Sequence, residues 1–130
     1  MESLFSSNPL VVNILRQIKD ALSQLEDWNN GILSPEDYAV SPDGMKTLAA
    51  TSMLLEAIGE GVKKIDSRTK GTLLKLRPEI PWDDVKGMRD HIAHGYFDID
   101  ADIIFDVVKD DLHPLAEAID YLIEYLNKKQ

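Results

Sequence analysis

Cysteine is absent from this 130-residue chain, which excludes disulfides, thiolate nucleophiles and thiolate-held metals together. No apolar run approaches the roughly 20 residues needed to cross a bilayer. The opening Met1-Glu2-Ser3-Leu4-Phe5 also lacks the basic start of a secretory signal. These absences predict a cytoplasmic protein. Nowhere do apolar and polar residues alternate between hairpin turns, as half-buried strands require. Positive charge is in short supply too: the net charge is −9, which argues against sequence-blind binding to nucleic acid, because phosphate recognition needs clustered Lys and Arg.

What remains is helical. Asn8-Pro9 is a cap followed by proline at the first helical position, and Leu10, Val11, Ile14, Leu15, Ile18, Leu22 and Leu25 then repeat at three-and-four spacing. That helix should run to about Trp28 and stop at Asn29-Asn30-Gly31. Ser34-Pro35 starts a short turn. Ser41-Pro42 opens a second helix to about Ile65, in which Ala49, Ala50, Gly59 and Gly61 would let a neighbour approach closely. A shorter helix is expected over Thr69 to Leu76, after which Pro78 and Pro81 bracket a tight connection. Pro81 can open a helix with Asp83 and Asp84 in its first turn, ending near His94-Gly95. The last helix starts at the cap Asp100, reaches Leu126, and should be kinked or broken near Asp110 by Pro114. The fold class is therefore all-α, an antiparallel bundle of about five helices, with residues 1–130 forming one domain.

The chemistry is concentrated between Gly87 and Ile99, where Arg89, Asp90, His91, His94 and Tyr96 crowd one helix end. A permanently charged guanidinium, titratable imidazoles and a phenol make a phosphate binder, a proton shuttle and a modifiable nucleophile. On a continuous helix Asp90 would lie beside His94, one turn on, and could orient its ring, whereas Arg89 and His94 would sit about 140° apart. The long arginine side chain or a distorted last turn at Gly95 would then have to bring the guanidinium round, or a second subunit could supply the missing half. Taken one at a time, Arg89 could equally serve a salt bridge, His91 a surface contact, and Tyr96 the core. Three histidines without ligand spacing give no metal site. Charge is unevenly spread around this cluster. Lys63 to Arg89 holds eight basic residues against four acidic ones, a local +4, which leaves −13 for the rest of the chain. Such a strip could accept a phosphodiester backbone, or could be no more than a solvated helix face.

Arg89-x4-His94-x-Tyr96, preceded by Pro78-Glu79-Ile80-Pro81-Trp82 and Gly87-Met88 and followed by Phe97-Asp98-Ile99-Asp100, resembles the HepT toxins, a branch of the HEPN superfamily of helical ribonucleases. The likeness is strongest from about Leu54 to Leu115; Asn30 to Asp43 departs most from it. The resemblance implies the toxin of a type VII-like toxin–antitoxin system, a metal-independent RNA endonuclease working as a homodimer with both motifs lining one cleft. Carried over by position, Arg89 binds the scissile phosphate, His94 is the general base or acid, and Asp90 and His91 orient or support. It also implies a nucleotidyltransferase antitoxin of the MNT type, which neutralises the toxin by binding and by transferring AMP from ATP to Tyr96. No cofactor is implied for this chain itself, since ATP belongs to the partner.

Two other classes remain open. One is a nonenzymatic helical module that binds a nucleotide or a nucleotidyltransferase through Arg89. The other is an acid–base enzyme that uses Asp90 and His94 on a small substrate. If the site is shared between two chains, the interface should be apolar and self-complementary, with Ala49 to Gly61 and the motif helix as its candidates.

Overall fold

The computed structural model describes residues 8–93 and 98–129. Helix α1 (Asn8–Trp28) carries its apolar face as expected, with Val11, Leu15, Ile18, Leu22 and Leu25 buried. It lies against both α2 (Pro42–Arg68) and α6 (Leu112–Lys129). The core is aliphatic: Leu55, Ile58, Val62 and Ile65 from α2 and Leu115, Ile119, Leu122 and Leu126 from α6 belong to one buried cluster with the apolar face of α1. Each such side chain contributes on the order of 1.5–3 kcal/mol on removal from water.

Ser41 and Asp100 cap their helices with their side chains, whereas Ser34 makes no side-chain cap. Ser34-Pro35 opens a short 3-10 turn, Pro35–Tyr38. The Ser41 hydroxyl accepts from the Gly44 N–H at 2.9 Å, capping α2. Gly44 has a further reason to be glycine, because a Cβ there would collide with the Asp37 carbonyl. Asp100 caps α5 (Ala101–Asp106) by accepting from the Ile103 N–H at 3.1 Å.

Ahead of Pro114 the helix is not broken but changes its winding. Between α5 and α6 the chain widens into a π-helical stretch, Val107–Asp111. Proline has no N–H to offer the carbonyl one turn back and clashes with it, and a wider turn accommodates that mismatch without ending the helix.

Two boundaries differ from expectation. No α-helix covers Thr69 to Leu76: Lys70 (φ 52°) and Gly71 (φ 74°) take left-handed conformations, and the Gly71 N–H returns to the Asp66 carbonyl at 2.9 Å. That closes α2, and only a 3-10 turn, Leu74–Leu76, follows. The second difference concerns the motif. Instead of one helix from Pro81 to Gly95 there are two short ones, α3 (Trp82–Lys86) and α4 (Met88–Ile92), hinged at Gly87. Ala93 is extended (φ −151°, ψ 141°) and forms an antiparallel bridge with Ile99, while the Ile92 carbonyl accepts from the Asp100 N–H at 2.9 Å. The acceptor that would continue the helix is thus spent on the returning chain.

The small residues of α2 divide by function. A Cβ on Gly59 would come within 2.7 Å of the Val85 carbonyl, and one on Gly61 within 3.1 Å of the Ile18 side chain. Both glycines therefore serve close packing inside this chain, against α3 and α1. The other face of α2 is open: Met45 is 60% and Met53 69% exposed, with Ala49 exposed between them. Their helical spacing was legible, but their burial does not follow from it. No helix among the described residues is long and apolar enough to cross a membrane.

Candidate functional site

The site is built outward from the connection Pro78 to Pro81, whose position is fixed from several sides. Arg77 Nε donates to Glu79 Oε2 at 2.6 Å, its terminal nitrogen reaches Glu117 on α6 at 3.4 Å, and the guanidinium lies 5.2 Å from the Tyr121 ring centre. The hydrogen bond between them holds the Glu79 carboxyl below its usual range and raises Arg77. Trp82 is buried and donates its indole N–H to the Arg77 carbonyl at 2.9 Å. This network delivers α3 onto α2, where Val85 and Met88 pack at Gly59.

Lys86 completes the attachment. Its ammonium meets Asp66 at 2.8 Å and Asp83 at 3.2 Å, hydrogen bonds that raise its pKa. Arg77 and Lys86, two members of the expected basic strip, are thereby committed to holding the fold.

Arg89 is placed differently. It stands on α4 with its side chain 76% exposed, and its one ion-pair partner among the described residues is Glu56 of α2, at 3.5 Å. An exposed contact of that length is worth little against water, so the guanidinium can turn to another anion at small cost. Asp90 and His91 are exposed as well. Buried Met88 and Ile92, flanking them on α4, keep the short helix seated.

Arg89 and His91 are two residues apart, about 200° around the helix, and they face different surroundings. His91 lines a groove of about 290 Å³ between α3, α4 and the π-helical stretch, floored by Val85, Met88, Val107 and Leu112. Asp111 borders this groove, its carboxyl pushed up by burial and by the neighbouring Asp110 and Asp106. The groove is apolar with carboxylates at its rim, a poor receptacle for phosphate, and Arg89 does not line it.

The helix that would carry Asp90 on towards His94 ends at Ile92, and the backbone is extended at Ala93. His94 and Tyr96 themselves lie outside the described residues. Among those described, no group of three or more His, Asp or Glu is arranged to hold a metal. Sequence reasoning missed Glu56, the carboxylate that meets Arg89. Its only signal was a place on the exposed face of α2.

Residues 16–122 match the family described as ribonuclease HepT-like. Among curated relatives, a protein of Thermococcus cleftensis named probable ribonuclease HepT is 35% identical over 101 residues, covering 78% of this chain and 84% of that one. A Methanocaldococcus jannaschii protein named as a putative RNase is 31% identical over 112 residues, covering 85% and 90% respectively. No solved structure matches.

Proposed function

We propose, from the premise that this chain belongs to the ribonuclease HepT-like family, that it is the toxin of a toxin–antitoxin pair and cuts RNA with Arg89 and His94, without a metal. Ribonuclease activity follows from the family. The observation that supports Arg89 as the phosphate-binding group is its near-freedom: Arg77 and Lys86 are tied into the fold, whereas Arg89 is open and held by one long contact.

The chemistry needs only what these two residues offer. His94 takes the proton from an RNA 2′-hydroxyl, the O2′–phosphorus bond forms, and Arg89 neutralises the charge gathering on the phosphorane oxygens. The phosphorus–O5′ bond then breaks as a proton is delivered to O5′, leaving a 2′,3′-cyclic phosphate and a 5′-hydroxyl. A twofold pair supplies two imidazoles, one to take the proton and one to deliver it. Asp90 and His91 flank this centre as orienting or supporting groups. The exposed Met45, Ala49 and Met53 of α2, on the same helix as Glu56, are an apolar surface that a second copy can cover, which would set two Arg89 groups near one cleft.

Regulation is assigned to a nucleotidyltransferase antitoxin that uses ATP. Attack by the Tyr96 phenolic oxygen on the α-phosphate releases pyrophosphate and leaves AMP on the ring, with the phenolic proton passing to solvent. The added phosphate would compete for Arg89 with RNA. Co-expression with the partner should give a mass increase that Tyr96→Phe lacks.

RNA incubated in a chelator with wild type, Arg89→Ala and His94→Ala tests the central reading. Cleavage by wild type alone, with cyclic-phosphate ends, is expected. Cleavage by all three, or its loss in chelator, would overturn it, and inertness of all three with retained partner binding would favour the nonenzymatic module. Light scattering giving a mass near 14.6 kDa would remove the shared cleft.

A further inference from the structure

The open face of α2 changes character along its length. Taking Glu56 as origin at 100° per residue, Met45, Ala49, Met53, Glu60, Lys63 and Lys64 all fall within an arc of about 100°. All six are exposed. On the N-terminal side of Glu56 this face is chiefly apolar, with Lys46 at its edge. On the C-terminal side it becomes basic: Lys63 and Lys64 are followed by Arg68 at the rim and Lys70 just beyond the helix end, all exposed. Arg89 meets the helix at Glu56, between the two halves.

Of the eight basic residues in the strip, Arg77 and Lys86 are consumed by ion pairs, and Lys75 lines a groove shared with Asp66, Asp83 and Asp84. Among the described residues Lys63 pairs only with Glu60, at 3.5 Å, with both side chains more than half exposed. Lys64 and Arg68 have no ion pair among the described residues. Of the cations left over, Lys64 and Arg68 stand one turn apart, about 40° round the helix, in a row leading away from Arg89, whereas Lys63 stands about 100° round from Lys64. Lys64 lies roughly 12 Å and Arg68 roughly 18 Å beyond Glu56 along the axis.

We infer that Lys64 and Arg68 form a backbone track for RNA, gripping the phosphates on one side of the cut, so that the strand leaves Arg89 toward the C-terminal end of α2. This rests on the reading that Arg89 holds the scissile phosphate. The track is blind to base identity, because it offers charge to phosphate and no groove to a base. It also reconciles RNA binding with a net charge of −9: affinity comes from a local row while the rest of the surface repels.

The test is salt dependence. Each phosphate contact to a single strand adds about 0.7 to the slope of log affinity against log salt. The double variant Lys64→Gln/Arg68→Gln, titrated with a 20-nucleotide unstructured RNA, should lose about 1.4 from that slope and bind about tenfold more weakly at 0.15 M salt. Lys109→Gln/Lys128→Gln, which makes the same charge change elsewhere, should keep the wild-type slope, and the exchange Lys64→Arg/Arg68→Lys should restore it. An unchanged slope in the first double variant, or equal loss in the control, overturns the track. Because the readout is binding, it is separate from cleavage: an inactive wild type would sink the nuclease reading, while the slopes would still decide the track.

Discussion

Two corners of this molecule are equally rich in polar groups and treat them in opposite ways. At the end of α1, Asn29 is buried, donating from Nδ2 to the Leu25 carbonyl at 2.9 Å and to Thr51 Oγ1 at 3.0 Å, while its Oδ1 accepts from the fully buried Tyr38 hydroxyl at 2.7 Å. That corner is closed on itself and fixes the segment between α1 and α2. On α4, by contrast, Arg89, Asp90 and His91 face solvent, and one long ion pair is the sum of what Arg89 has among the described residues. Density of polar residues does not tell the two corners apart. Unspent valence does: groups already satisfied by the chain hold the fold, and groups left to water are available to a ligand.

Mutation should separate the corners. Asn29→Ala strands the Tyr38 hydroxyl and the Thr51 hydroxyl in the core, and leaving buried polar groups unpaired costs about 1–3 kcal/mol each. We expect a loss of about 2–4 kcal/mol in urea unfolding, with the cleavage rate per folded molecule unchanged. A comparable fall in that rate would show that the two corners are coupled.

Alkaline pH gives a milder version of the same test. Burial raises the Tyr38 phenol from 10.0 to about 12. Because the folded form holds its proton more tightly than the unfolded chain, the neutral phenol is favoured by folding. That stability is complete below pH 10 and is lost as pH rises from 10 to about 12, by up to roughly 2–3 kcal/mol. Tyr38→Phe should flatten the decline; a decline of unaltered depth would place its origin in another group.

The smallest effect is expected at the acidic rim of the groove under His91. Asp111 is held above its normal pKa by burial and by Asp110 and Asp106. Asp111→Asn relieves that repulsion and should raise the melting temperature slightly, within the ~0.5 kcal/mol usual for surface changes, without affecting cleavage. A large loss of activity would instead join this groove to the site around Arg89.

Much of this architecture was legible beforehand because helix starts are local. Ser41-Pro42 and Asp100 announce caps whose partner N–H lies three residues away. The period of apolar residues in α1 and α6 likewise needs no knowledge of the rest of the chain. The break between α3 and α4 was not legible, since a helix through Arg89 and His94 satisfies every local rule. What stops it is the return of Ile99 and Asp100 to Ala93 and Ile92, a contact between segments that periodicity does not address.

The sequence by itself determined the helical class, the starts and caps of its main elements, and the motif that carries the family likeness, because each depends on residues within a turn or two of one another. Tertiary structure alone decided which cations are spent and which are open, that Gly59 and Gly61 serve packing within the chain, and that Glu56 meets Arg89. Those outcomes depend on which surfaces are brought face to face, and distance along a chain does not fix distance in space.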